Sequence, residues 1–188
     1  MYRLDSLHEK MGINKPIVLV GMMGAGKTTI GFRLAKKLGL PFIDTDEMVS
    51  KAVGCSISDI FKYQSEEYFR QKELEAINNA LSAGMSVIAT GGGSFINEPV
   101  RQTVLEGGIS VWLRAPLEVL LERVSRKKTR PMLEQGDKEE IMKQHMNDRY
   151  AMYSHAHITV DSDILTHYHV VNVILTKLQQ HQLKQSAR

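Results

Sequence analysis

Residues 18–39, VLVGMMGAGKTTIGFRLAKKLG, constrain this chain more than any other segment. An apolar run suited to a buried strand breaks into a loop with few side chains, then resumes as a helical pattern. Ile30, Leu34 and Leu38 recur at four-residue steps and stop at Gly39, where a glycine can take the left-handed conformation that ends a helix. Gly21, Gly26, Lys27 and Thr28 satisfy GxxxxGK(S/T) between a strand and a helix, the context the motif requires. Its glycines let successive backbone N–H groups turn inward, and the helix start adds a positive dipole end, so the loop suits a polyphosphate. Lys27 then reaches the outer phosphates, and the Thr28 hydroxyl is suited to ligate magnesium.

The rest of the chain repeats the alternation. Short apolar runs at 17–20, 42–43, 86–89, 109–113 and 158–160 predict buried strands, and helical patterns lie between them, one opened by Asn97 and Pro99 and another over about 116–123. Strands alternating with helices imply parallel crossovers, hence an α/β fold with a parallel sheet covered on both faces. At 188 residues the chain has room for one sizeable domain, predicted over 16–188. Residues 1–15 are mixed and charged, without the apolar stretch of a secretory leader, and read as a short, frayed N-terminal extension. The sequence has no apolar run of membrane-spanning length, and its single cysteine, Cys55, agrees with a cytoplasmic setting. Arg114, Arg123, Arg126, Lys127, Lys128 and Arg130 form a basic cluster, which on its own reads as a solvated face or as a phosphate- or nucleic-acid-binding surface.

Three further features point to a small acceptor beside the phosphates. No NKxD guanine-reading element follows the loop, and where motor-type ATPases carry an acidic residue after a neighbouring strand, this chain has TGGG. Gly91, Gly92 and Gly93 clear that strand's end of side chains, either for a ligand approaching main-chain N–H groups or for a flexible turn. The second strand ends in DTD, so Asp44 and Asp46 are read as carboxylates directed to one side, for magnesium water and an acceptor hydroxyl, or as helix caps. Leu74, Ile77 and Leu81 form an apolar helical stripe that Arg70 shares, which turns the guanidinium inward to an internal salt bridge or to a substrate carboxylate.

The motifs GMMGAGKTTIG, FIDTD, IF…E..FR..E, GGG, TRPML and R..MY together resemble shikimate kinase, over nearly the whole chain from Ile17. The resemblance implies a three-layer α/β/α phosphate-loop kinase of the nucleoside-monophosphate-kinase type. It implies transfer of the γ-phosphoryl group of ATP to the 3-hydroxyl of shikimate, with Mg2+. Gly24, Ala25, Gly26, Lys27, Thr28 and Thr29 would hold ATP, with Thr28 and Asp44 on the metal side. Asp46, Arg70, Arg149 and the backbone of Gly91, Gly92 and Gly93 would bind shikimate. Arg123 matches the position that packs on adenine, and Arg130 the arginine of a mobile lid over about 127–136, with Gly136 as a hinge. Lys27, Asp46 and Arg130 would carry the catalysis. The basic cluster then belongs to the lid and its flanks, and the resemblance implies a monomer that engages neither nucleic acid nor membrane. The sequence departs at Ser65, where the family often has glycine, and at Met132 in RPML, commonly RPLL; residues 161–167 align with no adenine-side loop. The alternative readings are a related kinase such as gluconate kinase, a nucleotide-binding regulatory module and a nucleic-acid-binding protein.

Overall fold

The computed structural model describes residues 6–125, 138–163 and 166–187. Among these, five strands form one parallel sheet: β1 (Ile17–Val20), β2 (Phe42–Asp44), β3 (Val87–Ala89), β4 (Ile109–Arg114) and β5 (Ile158–Asp161), in the order β2-β3-β1-β4-β5. β1 lies at the centre, with Ile17 opposite Val87 on one side and Ile109 on the other. All four of its residues, IVLV, are buried, as expected of a strand covered on both faces.

Each crossover follows from its sequence. Helix α1 (Leu7–Lys10) is a single turn, and α2 (Lys27–Leu38) starts at the phosphate loop and ends at Gly39, which takes φ 70°. Next come α3 (Thr45–Val53), α4 (Ile57–Tyr63) and α5 (Glu66–Ser82), α5 being capped by the Ser65 side chain, which accepts from the Tyr68 N–H. Asn97 caps α6 (Glu98–Gly107) in the same way, followed by α7 (Leu117–Ser125), α8 (Lys138–Tyr153) and α9 (His167–Ser186). Leu19 packs towards α2 at Gly31, whereas Val18 packs towards the ends of α5 and α6 at Leu81 and Gly108. Neighbouring residues of a strand face opposite ways, so these helices cover opposite faces of the sheet. The result is the three-layer α/β/α arrangement.

Residues 6–15 pack against the domain although their pattern is charged and mixed. Ile13 is buried in the core, His8 Nδ1 lies 3.3 Å from the Leu38 carbonyl, and Lys15 Nζ donates to the Glu106 carbonyl at 2.9 Å. One apolar side chain and two backbone acceptors fasten a segment whose composition signals only exposure.

Candidate active site

The β1–α2 loop carries its ammonium inward. Lys27 is 8% exposed, and its Nζ donates to the carbonyls of Gly21 at 2.7 Å and Met22 at 3.0 Å. Gly26, the residue before α2, has φ 92°, which a residue with a side chain rarely adopts, so the helix can begin directly under the loop. One residue on, Thr28 Oγ1 donates to Asp44 Oδ2 at 2.9 Å.

Asp44, the last residue of β2, and Asp46 turn to different partners. A single strand was expected to direct both to one side, but helix α3 begins at Thr45 and breaks the alternation. Asp44 Oδ1 accepts from the N–H groups of Asp46 and Glu47, capping α3, while its Oδ2 meets Thr28. Asp46 turns instead to the glycine loop: a Cβ on Gly91 would lie 2.7 Å from Asp46 Oδ1. Cap and site residue, offered by the sequence as alternatives, are geometrically compatible in Asp44.

The α5 helix buries a different charge from the one the apolar stripe singled out. Its buried positions are Phe69, Glu73, Ala76, Ile77 and Ala80, with Glu73 only 2% exposed and Arg70 on the flank. Arg70 Nη1 donates to Glu73 Oε2 at 2.9 Å and Nη2 to Glu66 Oε1 at 3.1 Å, while Ser94 Oγ donates to the other Glu73 oxygen at 2.6 Å. Burial alone would lower the Arg70 pKa, but the hydrogen bonds and charges of Glu73 and Glu66 outweigh it and raise the pKa, so the guanidinium stays charged. A Cβ on Gly93 would sit 3.5 Å from Arg70 Nη1, which places this arginine alongside the glycine loop.

From the opposite side α8 brings Arg149 and Tyr153 to the Gly92 carbonyl, at 3.5 Å and 2.6 Å. Among the described residues Arg149 makes no ion pair with a carboxylate, in contrast to Arg70. The glycine loop also abuts the phosphate loop: a Cβ on Gly92 would come within 2.9 Å of the Met23 nitrogen. Asp46, Arg70, Arg149 and the three glycines are thus gathered around one short segment beside the phosphate loop. Sequence reading missed Glu73, Ser94 and Tyr153. The signal for Glu73 was one acid in register with Phe69, Ala76 and Ala80, and Tyr153 closes the R..MY motif.

Arg123 on α7 closes the far side. Its guanidinium donates to the carbonyls of Ser162 at 3.0 Å and Asp163 at 2.6 Å, and reaches that of Gly24 at 3.5 Å. Ser162 Oγ donates to the Ala25 carbonyl at 2.9 Å. The segment after β5, which sequence could not align, is therefore laced to the phosphate loop. Arg130, Gly136 and the expected lid at 127–136 lie outside the described residues.

Thr28 and Asp44 offer a hydroxyl and a carboxylate oxygen side by side, a donor set suited to a hard divalent cation. Among the described residues no three His, Cys, Asp or Glu side chains gather into a cage. Magnesium in nucleotide sites needs none, because phosphates and water complete its coordination. No helix among the described residues is long and apolar enough to cross a membrane.

The family model for shikimate kinase matches residues 23–179. The shikimate kinase of Bartonella quintana is 41% identical over 167 residues, covering 89% of this chain and 80% of that protein. The solved shikimate kinase from Acinetobacter baumannii, in complex with shikimate, superposes with a TM-score of 0.81 at 34% identity over 96% of this chain and 99% of that one. A gluconokinase from Sinorhizobium meliloti is more distant, sharing the fold at a TM-score of 0.56 and 16% identity over 93% of this chain and 98% of its own. The chain belongs to the shikimate kinase family.

Proposed function

We propose that Asp46, Arg70, Arg149 and the Gly91–Gly92–Gly93 backbone hold shikimate against ATP seated on the phosphate loop, for transfer of the γ-phosphoryl group to the 3-hydroxyl. Family membership gives the reaction: an ATP-dependent kinase acting on an alcohol group of shikimate. The observation that supports these residue roles is the contact between the two loops, close enough that Gly92 has no room for a Cβ beside Met23. An acceptor resting on the glycine loop is held next to the phosphates. Such adjacency supplies most of what phosphoryl transfer asks of a protein, which is alignment and charge stabilisation.

Each side chain then has a task set by its surroundings. Arg149, with no carboxylate partner among the described residues, takes the acceptor carboxylate, and Arg70, held by Glu73 and Glu66, supplies the second charged donor. Asp46 orients the acceptor hydroxyl and receives its proton late, when the phosphorus–oxygen bond forms. Lys27 leaves the Gly21 and Met22 carbonyls for the outer phosphates and neutralises charge on the transferring group. Thr28 and Asp44 would hold a divalent cation, Mg2+, which when bound would screen the phosphate charge. The family resemblance assigns Arg123 to the base and Arg130, which lies outside the described residues, to the phosphates.

The test is ADP release by the purified protein with magnesium and ATP, offering shikimate, gluconate, a nucleoside monophosphate and no acceptor in turn. Release with shikimate alone is expected. Faster release with gluconate, or equal release without acceptor, would overturn the acceptor assignment.

A further inference from the structure

Gly92 offers one carbonyl to two donors of unequal quality. The Tyr153 hydroxyl donates at 2.6 Å, while Arg149, one helical turn earlier on α8, reaches the same oxygen at 3.5 Å. Tyr153 is fully buried, and its ring stacks with Phe95 and Trp112 at centroid distances of 6.3 and 5.8 Å, so the phenol cannot swing away. Burial pushes its pKa up, keeping the hydroxyl a donor at every working pH. The Arg149 contact is long, partly exposed and not reinforced by a carboxylate among the described residues.

We propose that Tyr153 is a positioning residue for the acceptor site: by holding the Gly92 carbonyl it leaves the Arg149 guanidinium available to the substrate carboxylate. The inference rests on the reading of Arg149 given above. A carbonyl that keeps a short phenol donor loses little when its weaker donor departs. Without the phenol, that oxygen would retain Arg149, and the substrate would have to compete with it for the guanidinium. The bond has a second effect. In a trans peptide the Gly93 N–H points opposite to the Gly92 carbonyl, so anchoring one to α8 aims the other away from it.

Tyr153→Phe removes one oxygen and keeps the stacked rings. KM for shikimate should rise roughly tenfold, about one hydrogen bond's contribution, with KM for ATP unchanged and kcat within about twofold. In an Arg149→Ala background the same change should add less than about twofold, because the residue through which Tyr153 acts is gone. An unchanged shikimate KM in Y153F, or an equal rise in both backgrounds, would overturn the proposal. If Arg149→Ala alone leaves the shikimate KM unchanged, the reading of Arg149 fails and takes the inference with it. Should Y153F not fold, 3-fluorotyrosine at position 153 keeps ring and hydroxyl. Its fluorine resonance should move on adding shikimate to the otherwise native protein and stay still in the Arg149→Ala protein; no movement in the first would equally overturn it.

Discussion

Thr28 Oγ1 and Asp44 Oδ2 meet at 2.9 Å, tying the first turn of the helix under the phosphate loop to the end of the neighbouring strand. The same Asp44 caps α3 through its other oxygen. Asp44→Asn keeps an oxygen for the cap but removes the charge that a divalent cation requires. We expect thermal stability close to that of the parent, with the magnesium concentration giving half-maximal activity raised roughly 10- to 100-fold. An unchanged magnesium requirement would remove Asp44 from the metal side.

Gly92 and Gly93 are neighbours with different tolerances. A Cβ on Gly92 would press on the Met23 backbone at 2.9 Å, whereas one on Gly93 would meet the end of the Arg70 side chain at 3.5 Å, an ordinary contact. Gly92→Ala should therefore push the two loops apart and lower kcat/KM for shikimate by more than about tenfold, since a misplacement of about 1 Å can cost about 100-fold. Gly93→Ala should stay within about tenfold of the parent, as a change met by a flexible side chain. Steady-state kinetics of the pair decide it; equal losses would mean that loop contact is not what the site depends on.

Much of this architecture was legible in the sequence because its signals are local. Four apolar residues before a glycine-rich turn specify a buried strand, and Gly39, Ser65 and Asn97 mark helix boundaries through their own backbone or side-chain chemistry. What could not be read were relations set by packing. The Arg70 guanidinium was assigned to the apolar stripe because it shares a spacing with Leu74, Ile77 and Leu81, yet Glu73 is the buried charge. Periodicity gives a helix face to within a residue, and only the partner across that face, here Ser94, fixes its centre. Asp44 and Asp46 diverge because helix α3 starts at Thr45, whereas strand alternation requires extended backbone through Asp46. Tyr153 and Gly92 lie far apart along the chain, and no local pattern announces that they touch.

Arg70 and Arg149 should separate by stability. Removing Arg70 leaves Glu73, 2% exposed, without its charged partner, and an uncompensated buried carboxylate costs about 3 kcal/mol. Arg70→Ala should thus lower Tm by roughly 6–12 °C in a chain of this size and also raise the shikimate KM. Arg149→Ala, which breaks no ion pair among the described residues, should raise that KM with Tm nearly unchanged. Calorimetry beside kinetics checks both; equal Tm losses would contradict the asymmetry.

Acid should weaken the far end of the sheet. The Ser110 N–H donates to His157 Nδ1 at 3.1 Å, a bond that requires the neutral ring with its proton on Nε2. Partial loss of hydration lowers the His157 pKa, and the neighbouring His181 and Lys15 lower it further. The folded value therefore lies below the unfolded value near 6.5, so this contribution is complete above about pH 6.5 and is lost as pH falls towards the folded pKa. His145, His167 and His181 are lowered as well and add to the same slope. Tm should fall between pH 7 and 5.5, and His157→Asn, which retains an acceptor that does not titrate, should flatten that fall; an unaltered slope would exclude His157.

In the proposed site the acceptor is gripped by its carboxylate beside the phosphate loop. The direct measurement is kcat/KM for shikimate and for its methyl ester, with the native protein and with Arg149→Ala. Loss of a charge-assisted contact predicts an ester penalty of roughly 10- to 100-fold in the native protein, shrinking markedly once Arg149 is gone. Equal use of acid and ester by the native protein would contradict it.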